Sequence, residues 1–590
     1  MSCKHAIMRL IAWRSPLLNV DALTAKHLPA LLNKPGVLRR PLQAILRILF
    51  HEKELNRFQA RYPHLTGFDF VEQLLEHFSF GYTLRGTERE CIPPRGRVVI
   101  IANHPIGTLD AAILIRLVGE IRRDVKAVGN QVLSGIQPLA PLLLPVDNMG
   151  GRSSREQLKS VYRHLENEGA VIIFPAGEVS RMSPAGIRDG SWNSGFLRIA
   201  TATRAPILPV YIDGRNSMFF YALSLFSRPL STLWLVREMF KQARRSVHIS
   251  IGNPVPFDSY QRTHLPMKSC VKLFQRHLYR IGKQKEPVFA TSRAIAHPEN
   301  RQQLRQEIHA CEQLGETSDG KRIYLFNFNP DCCIMREIGR LRELSFRAVG
   351  EGTGQRRDVD PFDRHCRQII LWDEAELEIV GAYRLRDTRN PDDSDLYSAT
   401  LFDFQPDMAQ VLQQGLELGR SFVQPRYWGK RSLDYLWFGI GAFLRRNPDY
   451  RYLFGPVTIS DSYPAAARDM LIHFYGTYFA SGSCMAKARL PYRLNAATIE
   501  EMHASFAGDD CKRDYITLKS RLRHLGCSVP TLFKQYGELC EPGGVRFLDF
   551  NIDPDFSNCV DGLVVVDLHK LKAAKRQRYI DADKGDEAQV

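Results

Sequence analysis

With 590 residues, 44% hydrophobic and 24% charged, the chain is too long for one core and too apolar for a disordered polypeptide, so two folded domains are the starting expectation. A net charge of +16 calls for an acidic partner, and nucleic acid, anionic lipid or an acidic carrier protein all satisfy it. No recognised nucleic-acid-binding motif accompanies the charge, so nucleic acid ranks last. Twelve cysteines without a Cys-x-x-Cys pair argue against a zinc site or a disulfide framework and for a reducing cytoplasm. The absence of His-Glu-x-x-His and Walker-type patterns removes metalloprotease and P-loop chemistry.

At the N-terminus, Arg9, Arg14 and Pro16 interrupt the early apolar residues, which argues against a signal peptide. No apolar run approaches the ~20 residues of a spanning helix, so the protein is expected to lie on a membrane if it meets one. Residues 36–50 interleave Arg39, Arg40 and Arg47 with Leu, Ile and Val, and Pro41 limits any helix to the part after it. Such a segment suits a lipid headgroup layer or, alternatively, the surface of the domain itself. Residues 69–84 read as a helix leading into a strand.

Val98 to Ile101 is an apolar β-branched run of the kind buried on both faces of a sheet. It opens into Asn103-His104-Pro105-Ile106-Gly107, and Asp110 follows at the start of an apolar helical stretch, where it can orient an imidazole or cap a helix. The alternative is a capped helix beside an incidental histidine. Strands are then expected at Val125 to Val128, near Val146, at Val171 to Phe174 and at 206–212, with a helix over 154–167. This alternation predicts an α/β sandwich with a mostly parallel sheet, whose ligands bind beyond the carboxyl ends of the strands, where His104 and Glu178 fall. Residues 218–240 mix aromatic and basic side chains, as a membrane-facing lobe, an acyl-chain groove or plain core would. A helix near 268–281 closes this half, and the polar stretch 283–321 reads as a linker, with a helix over 298–314 bridging the halves.

From Ile323 onward strands are expected at 323–328, 369–372, 378–385 and 416–423, with a helix over 336–349. Gln424 to Arg431 then opens a helix running to about Leu444. A strand, a basic Gly-containing turn and a helix N-terminus together make a phosphate cradle, because free N–H groups and the helix dipole face the anion.

Three blocks, Asn103 to Asp110, Pro175 to Arg181 and Pro206 to Ile212, resemble in this order the glycerolipid acyltransferase family, over about residues 80–257. The resemblance implies that His104 and Asp110 form a catalytic dyad and that Arg152, Glu178 and Arg181 bind the acceptor. There are two departures: the His–Asp spacing is one residue longer than the family's, and Glu178 follows Gly177 instead of preceding it. Both are similar to the branch that acylates lyso-ornithine lipids.

Residues 341–347, 358–366, 416–420 and 452–455 resemble the ornithine N-acyltransferase and haemolysin-like family, related to the acyl-homoserine-lactone synthases, over about 322–575. Arg426, Gly429, Lys430 and Arg431 look like the pantetheine-binding loop of Gcn5-related acyltransferases. Arg431 replaces that loop's final small residue, which favours a donor on an acyl carrier protein over coenzyme A. No separate cofactor is then expected, since phosphopantetheine arrives on the carrier.

Together these imply two α/β domains: a basic helical region at 1–79, an O-acyltransferase-like domain at 80–282, a linker at 283–321, an N-acyltransferase-like domain at 322–578 and a polar tail at 579–590. The tandem order resembles the bifunctional ornithine lipid synthases. The resemblance implies a cytoplasmic enzyme, peripheral on the inner face of the membrane, whose partners are acyl carrier protein, membrane lipids and ornithine. In the C-terminal domain it makes Glu417 the candidate base. Arg420 or Arg347 would hold the amino acid carboxylate, and Asp360 and Asp363 a cationic side chain. The alternatives are a lysophospholipid acyltransferase fused to an N-acyltransferase for glycine or glutamine, and a non-catalytic haemolysin-like membrane protein.

Overall fold

The computed structural model describes residues 20–21, 36–49, 51–129, 136–146, 155–183, 186–261, 265–389, 396–494 and 496–581. The chain forms two compact units, Met1–Ala294 and Ile295–Val590.

The first unit is built on strands β1 (Gly81–Thr83), β2 (Val98–Ala102), β3 (Val125–Gly129), β4 (Leu143–Pro145), β5 (Ala170–Ile173), β8 (Ile207–Asp213) and β9 (Ser246–Ile251), in the order β1-β9-β8-β2-β5-β3-β4. A separate hairpin, β6 (Arg181–Ser183) and β7 (Gly186–Arg188), follows β5. Strands β8, β2, β5, β3 and β4 run parallel, whereas β9 is antiparallel to β8. Strand β2 sits at the centre, and its alternating side chains supply two cores. Val98 and Ile100 pack with helices Gly67–His77 and Thr108–Gly119, and Val99 and Ile101 with helices Gly195–Thr203 and Met267–Gly282. Because β2, β5 and β8 are parallel, their carboxyl ends deliver residues 103–107, 174–180 and 213–217 to one edge of the sheet. Helix Gly36–Leu49 includes Pro41, which forfeits one N–H bond without ending the helix.

The second unit has an eight-stranded sheet ordered β10-β11-β12-β13-β15-β16-β19-β18. Its members are β10 (Glu312–Glu316), β11 (Arg322–Asn327), β12 (Arg367–Asp373), β13 (Glu378–Asp387), β15 (Gly415–Val423), β16 (Tyr452–Ile459), β18 (Val545–Asp553) and β19 (Cys559–Asp567). The short strands β14 (Phe402–Phe404) and β17 (Ala486–Ala488) pair with each other. Residues assigned to a linker by their polarity thus supply helix Arg301–His309 and the edge strand β10. They read as linker because the buried large apolar side chains of that stretch, Phe289, Leu304, Ile308 and Leu314, are few and widely spaced.

Within this sheet only β15 and β16 run parallel, and their pairing lasts three residues, Gly415↔Tyr452 to Glu417↔Phe454. Pro456 lacks an N–H to continue the ladder, and the strands part. Among the described residues no helix is long and apolar enough to cross a membrane.

Candidate functional sites

In the first unit the loop after β2 is clamped from both sides. The Asn103 amide bridges to Ile212, its Nδ2 donating to the carbonyl at 2.8 Å and its Oδ1 accepting from the N–H at 2.7 Å, which ties the ends of β2 and β8 together. Asn216 Nδ2 donates to the carbonyls of Pro105 and Ile106. Gly107 has φ +120°, a conformation that L-residues rarely adopt, and it starts helix Thr108–Gly119.

Asp110, fully buried in the first turn of that helix, uses Oδ2 three times. It accepts from Ile106 N–H (2.8 Å) and Gly107 N–H (3.0 Å) and lies 3.0 Å from His104 Nδ1. Capping the helix and orienting the imidazole are therefore one act of one carboxylate, and the longer His–Asp spacing still closes. With Nδ1 directed to Asp110, Nε2 remains for chemistry. The His104 side chain is 19% exposed and its ring lies against Phe174, 4.3 Å between centroids.

The loop is also held from behind by a residue that sequence reasoning missed. Asp189 Oδ1 accepts from His104 N–H (3.2 Å) and Ser180 Oγ (2.5 Å), while Oδ2 accepts from Trp192 Nε1 (3.0 Å). Burial pushes the Asp189 carboxyl up, against the pull of these donors. Nothing in Gly-Ile-Arg-Asp-Gly marks it, because the His104 N–H that gives it a place at the site is 85 residues away.

Glu178 and Arg181 pair with each other, Nε to Oε2 at 3.2 Å, and Arg181 Nη1 also donates to Ser231. Both sit on the segment after β5, on the same edge as His104. Arg152 lies outside the described residues.

In the second unit the acids and arginines of the predicted site form one network. Arg342, wholly buried, donates to both oxygens of Asp363 at 3.0 Å and to Gln368. Arg384 Nη1 donates to both oxygens of Asp360 at 2.8 Å. Arg420 lies 3.3 Å from Asp358 and 3.4 Å from Asp360, its guanidinium over the rings of Tyr397 and Phe556. Burial opposes the Asp363 charge, but Arg342 and Arg384 hold its carboxyl below the usual range. Asp363 is therefore part of the frame, with no oxygen left for a substrate cation. Asp360 lines a cavity of about 520 Å³ together with Asp553 and Asp555. Arg420 has φ +48°, an uncommon conformation for a side-chain-bearing residue and one found where a site holds its backbone under constraint.

Glu417 is also a frame residue. Its Oε1 accepts from Ser398 N–H (2.7 Å) and Oγ (2.5 Å), and it reaches neither cavity that Arg420 lines. Arg347 is held by Glu343 and donates to the Gln355 carbonyl, stitching residues 343–355 together.

Where β15 and β16 part, Leu418 and Gly419 on one side and Pro456 and Thr458 on the other enclose a second cavity of about 200 Å³, with Arg420 and Tyr397 in its wall. Two acids that sequence reasoning missed stand there. Asp561 on β19, in register with Thr458 and bonded by its hydroxyl at 2.6 Å, is pushed by burial to about 7. Glu351 is pushed to about 8 by burial and by the Asp561 charge. A carboxylate poised near neutrality suits a general base. The available signal was a lone acid inside the apolar strand Cys559–Asp567.

The basic turn after β15 precedes helix Ser432–Arg446, and Gly429 takes φ +75°. Arg426 is engaged by Glu376 and Glu378 at 2.8 and 2.6 Å, and Arg431 by Asp434 at 3.4 Å. Lys430 is exposed, its ammonium over the Tyr427 ring, and among the described residues no carboxylate pairs with it.

An acyltransferase family matches residues 23–284 and an acetyltransferase (GNAT) domain residues 341–438. Over 303 residues the chain is 32% identical to a glycine N(alpha)-acyltransferase of Bacteroides thetaiotaomicron, covering 48% of this chain and 89% of that one. Over 228 residues it is 30% identical to a lyso-glycine lipid O-acyltransferase of Phocaeicola vulgatus, covering 38% and 81%. An L-ornithine N(alpha)-acyltransferase of Brucella abortus is 31% identical over 207 residues, covering 29% and 71%. The chain thus belongs to the acyltransferases and joins, in one polypeptide, a lyso-lipid O-acyltransferase-family unit to an amino acid N-acyltransferase-family unit.

Proposed function

We propose that the chain makes a diacylated amino acid lipid in two steps, and that the amino acid is ornithine. The second unit transfers a 3-hydroxyacyl group from acyl carrier protein to the α-amine. Asp561, with Glu351 beside it, removes the amine proton as nitrogen attacks the thioester carbon, and the thiol leaves as the amide forms. Arg420 holds the amino acid carboxylate through its planar fork.

The first unit then acylates the 3-hydroxyl of this product. Nε2 of His104 takes the hydroxyl proton while oxygen attacks a second acyl thioester. Collapse of the tetrahedral adduct forms the ester and expels the thiolate, which recovers the proton from the imidazolium. Asp110 stabilises that cation.

The observation that carries this reading is the joint presence of the His104–Asp110 dyad at one sheet edge and the Asp561–Arg420 cavity between parted strands. A head group with a cationic side chain is supported by Asp553 and Asp555 in the larger cavity, whose wall also carries Arg357 and Arg489 and which shares Tyr397 and Arg420 with the smaller one; Asp360, already held by Arg384 and Arg420, shapes that wall. Glycine is the second reading, favoured by the coverage of the glycine N(alpha)-acyltransferase relatives.

A place on a membrane surface is supported by helix Met218–Phe226. Its Met218, Phe219, Leu225 and Phe226 are exposed on one face, while Phe220 and Tyr221 are buried on the other. Expression in a host that lacks aminolipids, followed by mass spectrometry of the lipid extract, tests the proposal. A phosphorus-free diacyl ornithine lipid is expected. A glycine head group replaces the first reading by the second, and no new aminolipid refutes both.

A further inference from the structure

Beside the dyad's loop lies an open cleft of about 560 Å³ to which the two steps above assign no role. Six cations line it: Arg188 from β7, Lys272, Arg276 and Arg280 from helix Met267–Gly282, and Lys283 and Lys285 beyond it. Lys272, Arg276 and Arg280 recur every fourth residue, which sets them in one row about 12 Å long. The opposite face of the helix is core, with Val271, Phe274 and Leu278 buried.

Among the described residues no carboxylate pairs with any of the six. The single acid in the lining, Asp189, spends both oxygens inward on Ser180, His104 N–H and Trp192. A helix C-terminus accounts for cations at 280–285 through its dipole. It does not account for Lys272 and Arg276, which lie before the last turn of the helix, or for Arg188 on another element. Nor is this a membrane-inserting face, because the cleft presents no exposed aliphatic or aromatic cluster; that pattern occurs on helix Met218–Phe226. Arg280 donates to the Glu286 carbonyl and Arg188 lies over the Tyr279 ring, so these two are positioned without being neutralised, and a concave cationic cleft of this kind suits a phosphate.

It also touches the chemistry. Asp189 N–H donates to Tyr279 Oη in the cleft wall, and the Asp189 carboxylate holds the backbone of His104. We propose that this cleft seats the phosphate of the phosphopantetheine-bearing acyl donor used at His104, an inference that rests on the O-acylation proposed above. The same phosphate comes either on an acidic carrier protein or within coenzyme A.

The test is the full-length Lys272→Glu/Arg276→Glu protein, both positions being exposed, assayed for O-acylation with three donors: acyl carrier protein thioester, acyl-coenzyme A and the phosphate-free acyl-N-acetylcysteamine. The KM for phosphate-bearing donors is expected to rise about tenfold or more, with kcat within threefold and the phosphate-free donor unchanged. A rise for both phosphate donors assigns the site to the phosphate itself, and a rise for the carrier alone assigns it to the carrier together with its acidic surface. Unchanged KM for both, an equal loss with all three donors, or a rise confined to the acceptor KM overturns the inference. His104→Ala is the separate control. It removes turnover with every donor if the dyad acts as proposed, and its retention of activity sinks the dyad without reference to the cleft.

Discussion

Replacing Asp110 by Asn keeps the shape of the dyad and removes its charge. The amide oxygen can still accept from the N–H groups of Ile106 and Gly107, which sit 2.8 and 3.0 Å from Oδ2, so the turn and the helix start are retained. What changes is the stabilisation of the imidazolium formed as His104 takes the hydroxyl proton. Two unit charges 3.0 Å apart attract by about 5 kcal/mol at an effective dielectric of about 20. A neutral amide restores less than half of this, so about 3 kcal/mol is lost in the transition state, or about 10²-fold in kcat. The assay is O-acylation of purified lyso-lipid with a labelled donor, with N-acylation by the same preparation as the internal control. Expected are an unchanged KM, a fall of about 10²-fold in O-acylation and intact N-acylation. O-acylation within threefold of wild type would refute the dyad, however well the distances fit.

Three further outcomes follow from buried groups. N-acylation is expected to fall as pH drops through about 7, where Asp561 takes up its proton; Asp561→Asn should remove that limb and cost about 10²-fold, while a retained limb assigns the titration to another group. Glu417→Gln keeps an oxygen for Ser398, so activity within fivefold and a stability loss of about 1 kcal/mol are expected; a 10²-fold loss at unchanged stability would return the base role to Glu417. His277, wholly buried and accepting from Val288 and Phe289 N–H, is pushed down from 6.5 to about 4 by burial. Because the unfolded chain binds the proton more readily, this stability is complete above 6.5 and is lost as pH falls toward 4, with about 2 kcal/mol already gone at pH 5. Thermal denaturation of the first unit against pH measures it, and a His277→Leu variant with the same slope would exclude His277 as the cause.

The sequence was most legible where one residue's environment repeats along the chain. Val98 to Ile101 read as a doubly buried strand because every side chain there meets a core, and the neighbouring parallel strands share that property. His104 and Asp110 were legible because the loop and the helix start that bring them together lie within seven residues. Asp189 was not, since its meaning comes from Ser180, Trp192 and a backbone N–H eighty-five residues away. The same limit explains Glu417 and Asp561. Both are acids in buried strands, and only the parting of β15 from β16 decides which one meets a cavity. Asp363 failed as a substrate contact for a related reason, because local spacing cannot reveal that Arg342 and Arg384 already saturate it.

Helix Met218–Phe226 packs Phe220 and Tyr221 against Val179, whose side chain in turn lies 3.7 Å from where a Cβ on Gly107 would stand. For a catalyst resting on a bilayer by the outer side of this helix, acceptor is encountered in two dimensions. Turnover then answers to the mole fraction of lyso-lipid in the film and not to its amount per millilitre. Thinning that film with inert phospholipid slows the reaction even when total acceptor and protein are held constant.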